Sequence, residues 1–276
     1  MMTTSMRLLS DGIIKFDCGS LFGQIPKTEW EDQVNTDRKN RITLGLNCLL
    51  LQTGGKNILI DTGTGSKDTD GLKDTYGLVP SRLIKSLKNL GLSPKDINMV
   101  ILTHLHFDHC GGCTRFDRAG NLIPTFPKAT HYVQRSCWEE ANQPSERCQR
   151  SYREVDFTPI EENGQLELLD GDTVLLPGLS VTETGGHARG HQGVMLNLGG
   201  EKVAFLGDLV PTPFHLNLVC MSAFDQFPEE GMAIKRDLLD QAVKDGWLVV
   251  FSHGYDYRAG YLEDRSGKRF LRPVEL

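Results

Sequence analysis

Short apolar, β-branched runs recur along the chain, separated by breaks rich in glycine, proline and aspartate. Residues 41–53 and 57–61 predict two strands, and the Gly54-Gly55 pair between them is a hairpin signal. Residues 80–90 have helical spacing: Leu83, Leu87 and Leu90 share a face, Ile84 lies beside them, and Gly91 stops the helix. Ser93-Pro94-Lys95-Asp96 predicts one capped turn. In residues 98–103, Val100, Ile101 and Leu102 are consecutive, which suits a strand covered on both faces. Residues 167–183 predict two or three strands, turned at Asp170-Gly171-Asp172 and at Pro177-Gly178. Residues 194–198 and 202–206 predict a hairpin across Gly199-Gly200. Residues 228–245 predict a helix with Ile234, Leu238 and Ala242 on one face and Leu239 and Val243 alongside. Residues 247–251 predict a last strand, ending at Ser252-His253-Gly254. Residues 112–165, rich in Pro, Gly, Arg and Glu, read as surface loops with a helix near 136–142.

A strand-rich chain with a few covering helices implies an α/β fold in which two mixed sheets pack face to face with helices outside, a four-layer αββα sandwich. No linker-like shift in composition divides it, so we expect one domain over residues 1–276, with an N-terminal arm over about residues 1–40.

Composition narrows the function classes. The formal charge is −6 and the densest basic cluster is Arg38, Lys39 and Arg41, so no basic stripe points to nucleic acid. No apolar stretch of about 18 residues predicts a membrane span. The Leu8-Leu9 run is too short for a signal peptide, and seven cysteines form no framework, so a cytoplasmic protein with reduced thiols is expected. Cys110-Gly111-Gly112-Cys113 has no second CxxC partner and reads as small residues in a tight turn.

Three of the eight histidines fall within His104-Leu105-His106-Phe107-Asp108-His109. Imidazole and carboxylate are ligands for zinc and similar divalent ions. His104 and His106, two apart in an extended segment, point the same way. Asp108 and His109 follow on a turn and are able to face a second ion. Packing alone does not account for such a cluster at the end of a predicted strand. His187, Asp208 and His253 also follow predicted strands, where loops on a rigid sheet carry chemistry.

The motif His104-Leu105-His106-Phe107-Asp108-His109 resembles the HxHxDH signature of the metallo-β-lactamase-fold hydrolase superfamily. Further elements recur in the expected order: Ile58-Leu59-Ile60-Asp61-Thr62-Gly63, Gly185-Gly186-His187-Ala188-Arg189-Gly190-His191, Gly207-Asp208 and Ser252-His253-Gly254. The resemblance implies that His104, His106 and His187 bind a first metal, that Asp108, His109 and His253 bind a second, and that Asp208 bridges them. It implies two divalent ions per chain: zinc by preference, with manganese, iron or cobalt able to occupy such sites. Asp61 would orient the ligand cluster, and His191 would supply a supporting hydrogen bond. Two cations that share a water would lower its pKa toward neutrality and supply a nucleophile, and Asp108 or Asp208 would be the catalytic carboxylate that carries a proton to the leaving group. His131 carries no assigned role, and His215 is a candidate for lining the substrate pocket.

The segment Leu21-Phe22-Gly23-Gln24-Ile25-Pro26-Lys27-Thr28-Glu29-Trp30 is similar to one in quorum-quenching lactonases of the YtnP type and in the related methyl parathion hydrolase group. That likeness implies ring opening of N-acyl homoserine lactones, with phosphotriester or aryl-ester hydrolysis as the alternative. Asp208 stands where secreted β-lactamases of this fold carry a cysteine. Other lactonases place a tyrosine shortly after the bridging aspartate, whereas this chain has Leu209, Val210 and Pro211. Segment 21–30 is a candidate dimerisation arm for a homodimer. A metal-binding sensor or partner protein without turnover is the reading from outside the enzymes.

Overall fold

The computed structural model describes residues 4–67 and 69–276. The chain runs through strand β1 (Ser5–Asp17), helices α1 (Cys18–Phe22) and α2 (Lys27–Trp30), then strands β2 (Arg41–Thr53) and β3 (Lys56–Ile60). Helices α3 (Thr69–Tyr76) and α4 (Leu83–Asn89), strand β4 (Met99–Ile101) and helix α5 (Phe107–Cys110) follow. The middle contributes β5 (Thr114–Phe116), β6 (Leu122–Pro124), β7 (Thr130–Gln134), α6 (Arg135–Asn142), α7 (Glu154–Glu162) and β8 (Leu166–Leu169). Strands β9 (Thr173–Leu176), β10 (Leu179–Glu183), β11 (Gln192–Leu198) and β12 (Glu201–Phe205) precede α8 (Pro228–Asp245), β13 (Leu248–Val250), β14 (Ala259–Arg265) and β15 (Lys268–Pro273).

Two large sheets result, ordered β1-β2-β3-β4-β7-β8 and β15-β14-β13-β12-β11-β10-β9, beside a two-stranded ribbon of β5 and β6. The core between them is built by strand alternation. Leu49, Leu51, Ile58 and Ile60 of the first sheet meet Val181, Val194, Phe205 and Val250 of the second. The opposite face of the first sheet, with Leu50, Leu59 and Val100, is covered by Leu83 and Leu87 of α4, Trp138 of α6 and Phe157 of α7. Ala204 and Val249 on the outer face of the second sheet pack on Leu239 and Ala242 of α8. Helix, sheet, sheet and helix make the expected four layers. The apolar runs are unbroken because both faces of the central strands are buried. Among the described residues no helix is long and apolar enough to cross a membrane.

Several expectations need correction. The N-terminal arm is no arm over residues 5–17: β1 pairs antiparallel with β2 from Ser5 to Asp17. Its buried Asp11 accepts from the backbone of Gly65 (3.0 Å) and Leu83 (3.1 Å). Residues 112–165 are not mainly surface loops, because they supply β7 and helices α6 and α7, and Phe126, Val133 and Phe157 are buried. Their polar composition conceals a strand flanked by neighbours on both edges. The turn at Asp170-Gly171-Asp172 does not join neighbouring strands: it carries the chain from β8 in the first sheet to β9 in the second. Leu90 is exposed at the end of α4. The buried stripe of α8 is rotated toward Lys235 and Leu239, because the Lys235 ammonium donates to the carbonyls of Asn217 (3.0 Å) and Cys220 (2.9 Å) and so tolerates burial.

Candidate metal centre

Strands β3 and β4 run parallel in one sheet, and β12 and β13 run parallel in the other. Their carboxyl ends deliver Asp61, the 104–109 segment, Asp208 and His253 to one crevice, and the loop after β10 adds His187 and His191. Side chains converge there because a rigid sheet fixes where each strand ends.

Two tight approaches shape the crevice. A Cβ on Gly111 or Gly112 would collide with the carbonyls of Thr64 or Thr62, so only glycine lets α5 lie against the loop after β3. Asp61 adopts a left-handed φ of 55° in that loop, a strained conformation that buys placement. Its carboxylate accepts from Thr103 N–H (2.8 Å) and from the Thr103 hydroxyl (2.8 Å), and its Oδ2 lies 2.8 Å from His109 Nδ1.

The seven proposed ligands come together. His104, His106 and His187 present ligand atoms within 4.8 Å of one another, and so do Asp108, His109 and His253. Asp208 lies between the triads: Oδ1 is 3.2 Å from His109 Nε2 and 3.3 Å from His253 Nε2, and Oδ2 is 3.5 Å from His187 Nε2. Asp108 Oδ2 is 3.5 Å from His253 Nε2. His187 Nε2 faces His106 Nδ1 at 3.1 Å, and His109 Nε2 faces His253 Nε2 at 3.1 Å. Ligands about 2.0–2.1 Å from a tetrahedral zinc stand roughly 3.3 Å apart, so these separations suit donors that share an ion.

Hydrogen bonds to the other ring nitrogens aim the ligands. His104 Nδ1 meets the Thr103 hydroxyl (3.0 Å), His187 Nδ1 meets Asp225 Oδ1 (2.7 Å), and His253 Nδ1 donates to the Gly45 carbonyl (2.8 Å). Each bond leaves Nε2 facing inward. The Nε2 atom of His104, the inward one, is buried with no hydrogen-bond partner, which is costly unless an ion or ligand meets it. The donor set therefore fits divalent metal ions.

Electrostatics agrees. Burial, then the neighbouring histidines, hold His104 and His106 well below the usual imidazole range, which keeps them neutral. Burial is the largest influence on His109 and His253 and opposes their charge too, but the surrounding carboxylates, Asp208 foremost, together outweigh it and raise both. Those rings pull Asp208 well below the usual carboxylate range against its own burial. A cation bound there competes with protons for the same atoms.

The remaining candidates divide. His191 Nε2 accepts the Asp208 N–H at 3.0 Å, which holds the backbone of the residue between the triads. The left-handed Gly207 (φ 52°) allows that contact, since a Cβ there would come within 2.6 Å of the same nitrogen. His215 does not line the pocket: it is buried behind the wall, between the Thr212 hydroxyl (2.8 Å) and the Leu21 carbonyl (3.3 Å), and burial lowers its pKa to about 3. His131 lies on β7, away from the crevice. Cys110 and Cys113 are buried and free, and burial holds the Cys113 thiol near 12, so neither offers a thiolate. Asp225, Thr103 and Ser252, whose hydroxyl donates to Asp208 Oδ1 (3.0 Å), are functional positions that sequence reading missed. Thr103 could have been suspected from its place before His104. Asp225 sits in an irregular loop with no local motif.

A small cavity of about 40 Å³ over the centre is walled by Phe16, Leu21, Tyr76, Phe107, Pro211 and Phe224. A larger cavity of about 730 Å³ lies between segment 22–35 and the C-terminal strands and reaches the centre only at His253. The convergent polar groups mark the smaller one as the reactive site.

A metallo-beta-lactamase superfamily model matches residues 42–253, which span every ligand position. The chain belongs to that superfamily. An N-acyl homoserine lactonase from Bacillus cereus is 28% identical over 240 residues, covering 80% of this chain and 86% of that protein. A probable metal-dependent hydrolase from Staphylococcus aureus superposes with a TM-score of 0.89 at 30% identity, over 99% of this chain and 98% of that one. A dizinc quorum-quenching lactonase solved with a product shares the fold with a TM-score of 0.78 at 21% identity, over 99% of this chain and 95% of that one. Membership makes the protein a hydrolase of this fold with a site for divalent metal.

Proposed function

We propose that this protein is a dinuclear, zinc-dependent lactonase that opens N-acyl homoserine lactones. In this reading His104, His106 and His187 would hold one ion, Asp108, His109 and His253 would hold the other, and Asp208 would serve both. The observation that carries this reading is the Asp208 carboxylate, with Oδ1 against two histidines of one triad and Oδ2 against a histidine of the other. The lactonase activity named for the Bacillus cereus relative supports the substrate class.

Bound divalent ions would lower the pKa of a coordinated water and polarise the lactone carbonyl. The chain does the rest. The aromatic wall shields the crevice from bulk water and offers apolar surface to an acyl chain. When the ring C–O bond breaks, the freed alkoxide needs a proton, and Asp108 Oδ2 is placed beside His253 to carry it. His191 and Ser252 keep Asp208 in place through backbone N–H and Oδ1.

The test is proton release when a medium-chain N-acyl homoserine lactone is added to zinc-loaded protein, with an aryl phosphotriester in parallel. Lactone opening that a chelator abolishes, with slower triester cleavage, is the expected result. Brisk ester or triester cleavage without lactone turnover would move the protein to the esterase side of the family. Silence on both substrates would leave a metal-binding protein without turnover.

A further inference from the structure

Four aromatic rings close over the centre. Phe16 meets Tyr76 (centroids 5.3 Å), Phe224 (5.4 Å) and the ligand His253 (6.1 Å), and Tyr76 meets Phe107 at 5.3 Å. Three of the four are hydrocarbon, and Tyr76 alone carries a hydroxyl. Tyr76 shares the small cavity with Asp108, Asp208 and His253.

Its position is built. Tyr76 is the last residue of α3, and Gly77 (φ 56°) ends the helix directly after it. The Arg41 guanidinium donates to the carbonyls of Asp74 (3.0 Å) and Thr75 (2.8 Å) in that last turn. Asp37 holds Arg41 in turn through Nε (3.0 Å) and Nη2 (2.8 Å). Helix end, ring packing and guanidinium together hold the phenol over the crevice. Burial, then the Asp108 carboxylate, raise the Tyr76 pKa, in keeping with the cavity that the two side chains share. A tyrosine hydroxyl is protonated at neutral pH in any case.

Resting on the lactonase reading, we propose that the Tyr76 hydroxyl is a catalytic residue, donating a hydrogen bond to the ring oxygen that leaves when the lactone opens. Water adds to the carbonyl carbon, the acyl C–O bond breaks, and its electron pair stays on the former ring oxygen. Asp108 takes up the proton that the added water gives off and delivers it to that oxygen, so the oxygen lies in the part of the cavity that Asp108 and Tyr76 both line. Tyr76 keeps its own proton and stabilises the charge that develops during cleavage.

Tyr76→Phe tests this, because it keeps the ring against Phe16 and Phe107 and removes only the donor. An alkoxide leaving group needs the donor, whereas a 4-nitrophenolate leaving group is stable without it. For the lactone, kcat should fall about 100-fold, the scale for losing a donor to a developing oxyanion. KM and zinc content should be unchanged, and a 4-nitrophenyl ester should lose less than about 3-fold, since a weakly basic leaving group gains little from donation. If Tyr76→Phe keeps full lactone turnover, or loses lactone and aryl ester turnover in parallel, or loses zinc, the proposal falls while the lactonase reading stands. If the native chain opens no lactone yet cleaves esters, the lactonase reading falls. The same variant, compared on the ethyl and 4-nitrophenyl esters of one acid, then decides Tyr76 by the same leaving-group difference.

Discussion

Asp225→Asn removes one charge from beneath a proposed metal ligand and leaves every ligand in place. Asp225 Oδ1 lies 2.7 Å from His187 Nδ1, and both side chains are 4% exposed, so solvent screens the pair little. Asp225 Oδ2 also accepts the Ser222 N–H at 2.7 Å. An asparagine can satisfy only one of these donors with its oxygen, and its NH2 group then faces the other. The charge-assisted bond is lost and one buried donor is left unpaired. Removing such a partner of a metal-bound histidine costs about 10- to 100-fold in metal affinity, or about 1.4–2.7 kcal/mol. The assay is competition of a chromophoric chelator for zinc against the native and variant chains, followed by hydrolysis at saturating zinc. Affinity should drop by that factor at the ion held by His187, and activity should return largely with excess zinc. A zinc affinity within about 2-fold of native would refute the claim that Asp225 sets His187 for metal.

Two other perturbations bear on the scaffold. His131 is buried with neither ring nitrogen well bonded (the carbonyls of Gln165 and Ala129 only weakly favour its charge), and burial lowers its pKa from 6.5 to about 4. The unfolded chain takes up this proton below pH 6.5 and the native chain does not, so stability is full above about pH 6.5 and falls toward pH 4. Urea unfolding at pH 7.5 and pH 5 should therefore show about 2 kcal/mol less loss of stability for His131→Leu than for the native chain, and equal losses would count against the assignment. Lys67 donates to the carbonyls of Gly111 and Thr114 and pairs with Asp156 at 3.0 Å, with both side chains 1% exposed. Lys67→Met should cost about 3–5 kcal/mol in denaturant unfolding because it leaves the buried Asp156 charge with only the longer Arg153 contact (3.7 Å), and adding Asp156→Leu should recover much of it. A single-variant loss below about 1 kcal/mol would show that the pair is not what holds α5 to α7.

The sequence by itself determined strands β2–β4 and β8–β13, the long helix and most of the centre. Those signals are local: apolar runs mark strands with both faces covered, and three histidines with an aspartate in six residues do not arise from packing. Asp208 and His253 were legible for the same reason, as polar residues directly after such runs. Tertiary structure alone decided what the second ring nitrogen of each ligand histidine meets, with Thr103 at His104, Asp225 at His187 and the Gly45 carbonyl at His253. It also decided that His215 faces a backbone carbonyl rather than the pocket, that β8 and β9 lie in different sheets, and that residues 5–17 form a strand. Asp225 lies 38 positions beyond the histidine it aims, and Tyr76 reaches the centre from a helix end pinned by Arg41. Hydrogen-bond partners brought together by chain crossings leave no spacing pattern, because the distance between them is set by sheet packing and not by the count of residues between them.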